Sequence, residues 1–251
     1  MRENTLKTAW KNGSPTIGLW LATADAVAVE PLSDVGYDYI CLDLQHGLLD
    51  YGDVIPILAA LRSSAAIPLA RAPWNEPGII GKLLDAGSMG VIIPMVNSPA
   101  EAERAVAACR YAPQGSRSWG PTRAAAALRD GNVEGAGRSD YHDGANREIA
   151  CIPMIETKAA VDDLEAILDV EGIDAVYVGP ADLSISYGLP PATDHPDSAV
   201  YQEALAKIVE LSTARGIAAG IHTVPSMVQH RREQGFQMIT ATSNLLAQVA
   251  G

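Results

Sequence analysis

Basic residues are scarce in this chain. Its 18 Lys and Arg stand against 30 Asp and Glu, a formal charge of -12. That balance speaks against a broad cationic surface and so against nucleic acid or an anionic membrane as partner. An anionic substrate would instead need a locally placed arginine. Cysteine is scarce too. Cys41, Cys109 and Cys151 are odd in number, scattered and set in apolar contexts, with neither disulfide nor metal-ligand spacing. They read as reduced core residues of a cytosolic protein. No apolar run reaches membrane length, and the opening Met-Arg-Glu-Asn-Thr-Leu-Lys contains no apolar signal region. A soluble, cytoplasmic protein is expected. No Gly-x-Gly-x-x-Gly turn follows the first strand-like run, which disfavours an open dinucleotide-binding sheet.

What is present is one unit repeated. Strand-like runs fall at Thr16–Leu21, Asp38–Asp43, Ile67–Ala72, Gly90–Pro94, Ile149–Glu156, Asp174–Gly179, Ile217–Ile221 and Phe236–Ala241. Helical spacing lies between most of them: Ala24–Val35, Val54–Ser64, Glu76–Ala86, Pro99–Cys109, Ala159–Val170, Ala199–Arg215 and Val224–Gln234. Gly36, Gly87, Gly172, Gly216 and Gly235 follow helices where a left-handed cap is wanted. Eight alternating units in 251 residues predict a single (β/α)8 TIM barrel domain over residues 1–251. Two features depart from a plain barrel. Tyr111 to Arg147 shows little apolar periodicity and reads as a long functional or flexible connection. After the eighth strand, Ser243 to Gly251 is too short for a full outer helix. The uncovered flank predicts packing against another subunit, hence a homo-oligomer.

Chemistry is expected at the carboxyl ends of the strands, where such barrels place it. Cys-Ile-Pro-Met-Ile-Glu-Thr ends in Glu156, and the next strand runs through Gly-Pro-Ala into Asp182. A strand–helix–strand crossover puts both carboxylates at one edge of the sheet. Side by side they repel unless something positive lies between them, and a hard divalent cation is the usual answer. Taken singly, each reads equally well as a helix-capping carboxylate. The second strand ends in Asp43-Leu-Gln45-His46, where an imidazole beside a carboxylate suits acid–base work. The third ends in Arg71. An arginine at a buried strand end is either an ion pair, with Asp43, Glu156 or Asp182 as candidates, or a fork for an anionic substrate. Asp85, near a helix end, reads by itself as a solvated carboxylate. No lysine lies at a recognisable strand end, which disfavours Schiff-base chemistry. Gly179 and Ala181 are placed to offer backbone groups to a substrate carboxylate.

These segments together resemble the HpcH/HpaI aldolase family. They are Asp43-Leu-Gln-His46-Gly, Arg71-Ala-Pro, Leu-Leu-Asp85-Ala-Gly, Ile-Pro-Met-Val-Asn, Tyr-Ala-Pro-Gln-Gly-Ser-Arg, Met-Ile-Glu156-Thr and Gly179-Pro-Ala-Asp182-Leu-Ser. The resemblance covers nearly the whole chain, with its motifs in order. It implies a metal-dependent aldolase of the 4-hydroxy-2-oxoheptanedioate type, joining or parting pyruvate and an aldehyde. It further implies Mg, Mn or Co on Glu156 and Asp182, Arg71 on pyruvate, and Asp43 with His46 as the proton-handling pair. It also implies a hexamer with a last helix exchanged between subunits and Asp85 reaching a neighbour's site. Gln45 and Met154 depart from the family's commoner Glu and Gln; the Asp-x-Gln-His-Gly form is nearer the macrophomate synthase branch. A carbon–carbon lyase acting on CoA thioesters and a non-catalytic binding barrel are the alternatives.

Overall fold

Every residue of the first six strands except Ile17, in β1 (Thr16–Leu21), is buried, which is why they read as unbroken apolar runs rather than alternating ones. The computed structural model describes residues 1–23, 25–128 and 138–243. The other strands are β2 (Tyr39–Asp43), β3 (Ile67–Arg71), β4 (Gly90–Ile93), β5 (Ala150–Pro153), β6 (Ala175–Val178), β7 (Ala218–His222) and β8 (Met238–Ser243). All pairings are parallel, in the order β5-β4-β3-β2-β1-β8-β7-β6. A bridge between Met154 and Tyr177 joins the two ends of that order. The result is the expected (β/α)8 TIM barrel, with helices alternating around it.

The helices follow the expected pattern with local corrections. The run expected as one helix over 24–35 is α-helical only at Ala26–Val29 and continues as a 3-10 turn, Glu30–Asp34. Pro31 has no N–H to give the α ladder there. The run Ala159–Val170 is two short helices, Lys158–Asp162 and Leu164–Leu168. The segment expected to lack regular structure carries the helices Ala124–Ala127 and Arg138–Glu148. The second is too polar to show an apolar period. The five glycines expected to cap helices all have positive φ, between 69° and 114°. An unpredicted helix, Thr5–Lys11, closes the amino-terminal end of the barrel. Its buried cap, Asn4, donates to the Met89 and Glu148 carbonyls beside the starts of β4 and β5. The predicted short or exchanged last helix falls at 244–251, outside the described residues.

Inside the barrel, the Thr240 hydroxyl sits between two tyrosines, 2.9 Å from Tyr39 Oη and 2.5 Å from Tyr177 Oη. Above them lies Trp20, stacked on Tyr177 at 5.6 Å. This aromatic floor supports the cavity at the carboxyl ends of the strands.

Candidate active site

Asp43 is the last residue of β2 and Arg71 the last of β3, and the parallel register places them directly opposite each other. Arg71 Nε donates to Asp43 Oδ1 at 2.8 Å, and Nη2 donates to Oδ2 at 2.6 Å. Trp20 Nε1 donates to the same Oδ2 at 3.0 Å, and the Arg71 guanidinium lies 5.0 Å from the Trp20 ring centre. Asp43 Oδ1 also accepts the backbone N–H of Gln45 and of His46, at 3.0 and 3.3 Å. Burial alone would raise the Asp43 carboxyl, but the arginine fork and the indole N–H outweigh it and hold its pKa below normal. Burial likewise opposes the Arg71 charge and Asp43 more than restores it.

This geometry revises two expectations. The ion pair between Arg71 and Asp43 is formed, yet Arg71 also lines the cavity, and Nη1 makes no hydrogen bond among the described residues. One pair of donors is committed and another remains for a ligand. The expected Asp43–His46 dyad takes a different form. Asp43 holds the backbone of His46, because its oxygens are already occupied by Arg71 and Trp20. The exposed His46 imidazole instead lines the cavity.

Glu156 stands two residues beyond the Met154 bridge and is only 1% exposed. Its Oε1 accepts the Met95 N–H at 2.8 Å, while Oε2 is buried without a hydrogen-bond donor. Met95 has φ of 56°, a left-handed conformation that costs a non-glycine residue about 1–3 kcal/mol. That twist follows β4 and turns the N–H towards Glu156. Burial, aided by Asp182, lifts the Glu156 carboxyl to about 7 against the opposing pull of the Met95 N–H and Arg71. Gly179 gives Oε2 its space: a Cβ there would lie 2.4 Å from it. Asp182 lies exposed in the first turn of the helix Pro180–Ser186. Neither carboxylate is a helix cap. Thr157 caps the helix after Glu156, and Gly179 occupies the cap position before Asp182.

Glu156, Asp182, Arg71, His46, Gly179 and Ala181 line one cavity of about 340 Å³. Asp85 is not among them. It lies in the last turn of the helix Pro77–Ala86, which runs back from β3 to the start of β4 and so finishes at the opposite end of the barrel. There Arg117 Nη2 donates to its Oδ1 at 2.7 Å. No lysine is among the cavity-lining residues. The sequence reading missed Trp20 and Tyr177, which look like ordinary strand apolars, and the Met95 N–H, which no side-chain pattern announces. It also ended the seventh strand one residue before His222, which lines the cavity, and it gave no role to Pro191, Ala192 and Thr193, which close one side.

An orphaned, buried carboxylate oxygen beside a second carboxylate suits a hard cation. Among the described residues no group of three or more His, Cys, Asp or Glu side chains is placed to hold an ion. A cation here would therefore take two protein carboxylates and leave its other positions to substrate and water.

The chain is similar to known proteins over most of its length. A hydroxypyruvate/pyruvate aldolase of Rhizorhabdus wittichii is 36% identical over 243 residues, 96% of this chain and 93% of its own. A 4-hydroxy-2-oxo-heptane-1,7-dioate aldolase of Escherichia coli is 38% identical, over 86% of this chain and 80% of its own. Among solved structures, an HpcH/HpaI aldolase/citrate lyase family protein from Burkholderia cenocepacia superposes with a TM-score of 0.88 at 31% identity, covering 98% of this chain and 95% of its own. Residues 16–248 match the HpcH/HpaI aldolase/citrate lyase description as a whole. The chain belongs to the HpcH/HpaI aldolase/citrate lyase family.

Proposed function

We propose that Glu156 and Asp182 hold a divalent cation, Mg, Mn or Co, at which this pyruvate aldolase cleaves 4-hydroxy-2-oxoacids to pyruvate and an aldehyde, or joins them. The protein is a carbon–carbon lyase. The observation that carries the metal-dependent reading is the meeting, in one cavity, of the orphaned Glu156 oxygen, Asp182 and the uncommitted donors of Arg71. A bound cation would supply Lewis-acid polarisation of the substrate's carboxylate and keto oxygens.

The chain's own groups do the rest. In the cleavage direction the His46 imidazole takes the proton from the C4 hydroxyl. The C3–C4 bond breaks, its electron pair forms the C2–C3 double bond, and the keto oxygen gains the charge. Arg71, fixed in one plane by Asp43, donates from Nη1 towards that oxygen, where a prepositioned donor stabilises developing charge. The first-turn N–H of Ala181, which has no intrahelical acceptor, and the open backbone at Gly179 receive the substrate carboxylate. A proton from solvent at C3 completes pyruvate, and His46 releases to solvent the proton it took from the C4 hydroxyl. Asp43 positions Arg71 and the His46 backbone. Asp85, paired with Arg117 at the far end, belongs to a neighbouring subunit's site in this reading, within a cytoplasmic hexamer of one-domain chains. Exposed Leu48 and Trp74 are apolar surface available to such an assembly.

The test is deuterium exchange of the pyruvate methyl group, followed by proton NMR with no aldehyde present. Exchange should require the divalent cation, stop on chelation and fall steeply in Arg71→Ala. A methyl signal that persists at the buffer rate, with cation present and pyruvate bound, rejects the enolate mechanism.

A further inference from the structure

His222 ends β7 and faces the cavity, yet the mechanism above gives it no task. Its level is set by the register. Met154 bridges Tyr177, and Tyr177 pairs with Gly220. Two residues further on, Glu156, Gly179 and His222 therefore share one layer of the barrel mouth. Gly179 contributes no side chain between them, and all three line the same cavity. The ring is held perpendicular to Trp20 with centroids 5.4 Å apart, and Trp20 is itself fixed by its bond to Asp43. Among the described residues His222 makes no side-chain hydrogen bond, and its half-buried ring is open to the cavity. Apolar residues of the same cavity include Trp20, Met154, Pro191 and Ala192, and Arg71 is the charged group nearest in effect to the ring.

We propose that His222 hydrogen-bonds a hydroxyl oxygen of the substrate, so that the site prefers hydroxylated 2-oxoacid donors or hydroxylated aldehydes to their deoxy counterparts. The inference rests on the aldolase reading above and names a substrate class for it. Burial, with Arg71 nearby, pushes the His222 pKa down to about 4 against the pull of Asp43. The ring is thus neutral near neutrality, one nitrogen donating and the other accepting. A neutral ring suits a hydroxyl; it does not neutralise a carboxylate, and it is too weak a base to replace His46 as the proton carrier. A site that hydrogen-bonds a hydroxyl discriminates strongly against the analogue that lacks it, because its own polar group is then left unpaired. An apolar residue at this position would lack that discrimination.

The experiment compares the wild type with His222→Leu and His222→Gln under saturating cation, in two arms. In the first, pyruvate and hydroxypyruvate compete as donors with propanal as acceptor. In the second, propanal and glycolaldehyde compete as acceptors with pyruvate as donor. In one arm His222→Leu should lower the selectivity for the hydroxylated substrate by about ten-fold or more, chiefly through KM, and His222→Gln should restore part of it. The arm that responds identifies whether the hydroxyl belongs to the donor or to the aldehyde. Turnover of the deoxy pair confirms that each variant is folded. The neutral limb of the pH–rate profile should stay where it is in the wild type. Unchanged selectivity in both arms, an equal fall on every substrate, or a displaced limb overturns the proposal while leaving the aldolase reading intact. A wild type that joins no pair at all overturns both.

Discussion

Removing one member of the Arg71–Asp43 pair should injure two properties that can be separated. Both side chains are buried, Asp43 3% and Arg71 8% exposed, and their bond is bidentate. Breaking a buried ion pair from one side costs about 3–5 kcal/mol, because the survivor is left charged and unpaired. At about 2–4 °C per kcal/mol for a chain this long, Arg71→Ala or Asp43→Ala should lower Tm by about 6–20 °C. The double variant should recover most of that loss, since no isolated charge remains. Catalysis should not recover with it, because Arg71, the proposed donor to the keto oxygen, is still missing. Calorimetry and pyruvate release on all four corners of the cycle give both coupling energies. Acid titration adds a third reading. The folded pKa of Asp43 is depressed, so its stabilisation is complete above the ordinary carboxylate value of about 3.9 and disappears as pH falls through the lower folded value. Asp43→Ala should flatten that acid limb. Additive stability losses, or activity that returns in the double variant alongside Tm, would refute the assignment of Arg71 to both pairing and catalysis.

Two more expectations concern the carboxylates. Glu156→Gln or Asp182→Asn should abolish saturable Mn binding in calorimetry and cation-dependent turnover, while circular dichroism stays that of the folded barrel; turnover near wild type at limiting cation would reject the ligand pair. Gly179→Ala should weaken cation binding by about 10–100-fold, the range typical of displaced supporting groups, because its Cβ would occupy the space of Glu156 Oε2 at 2.4 Å; unchanged affinity would mean that Oε2 is not a ligand.

The barrel was legible because its signal is repeated. Most of the strands are buried on both sides, so their apolar runs are continuous, and each return is marked by a turn residue or a capping glycine. Single elements were less visible. The helix Thr5–Lys11 is only two turns long, and distant parts of the chain hold it: Asn4 donates to the Met89 and Glu148 carbonyls, and Gln237 donates to the Trp10 carbonyl. Arg138–Glu148 is helical although its sequence, Arg-Ser-Asp-Tyr-His-Asp-Gly-Ala-Asn-Arg-Glu, has almost no apolar face. Tertiary contacts decided both, and local propensity does not encode those.

Within the site, position was readable and pairing was not. Strand-end location follows from a run's length and its last residue, and it brought Asp43, Arg71, Glu156 and Asp182 to one rim. Which group each one meets depends on register across neighbouring strands. Asp43 and His46 are three residues apart in sequence, which suggested a dyad. The register sets Asp43 opposite Arg71 instead, and a carboxylate gripped by a guanidinium fork has little reason to release it for an imidazole. The same logic explains His222. As one histidine among five it carries no signal, and its significance comes from sharing a layer with Glu156 across a strand that has only Gly179 there. Gly179 thus leaves the room that Glu156 Oε2 takes, since a Cβ there would lie 2.4 Å from that oxygen.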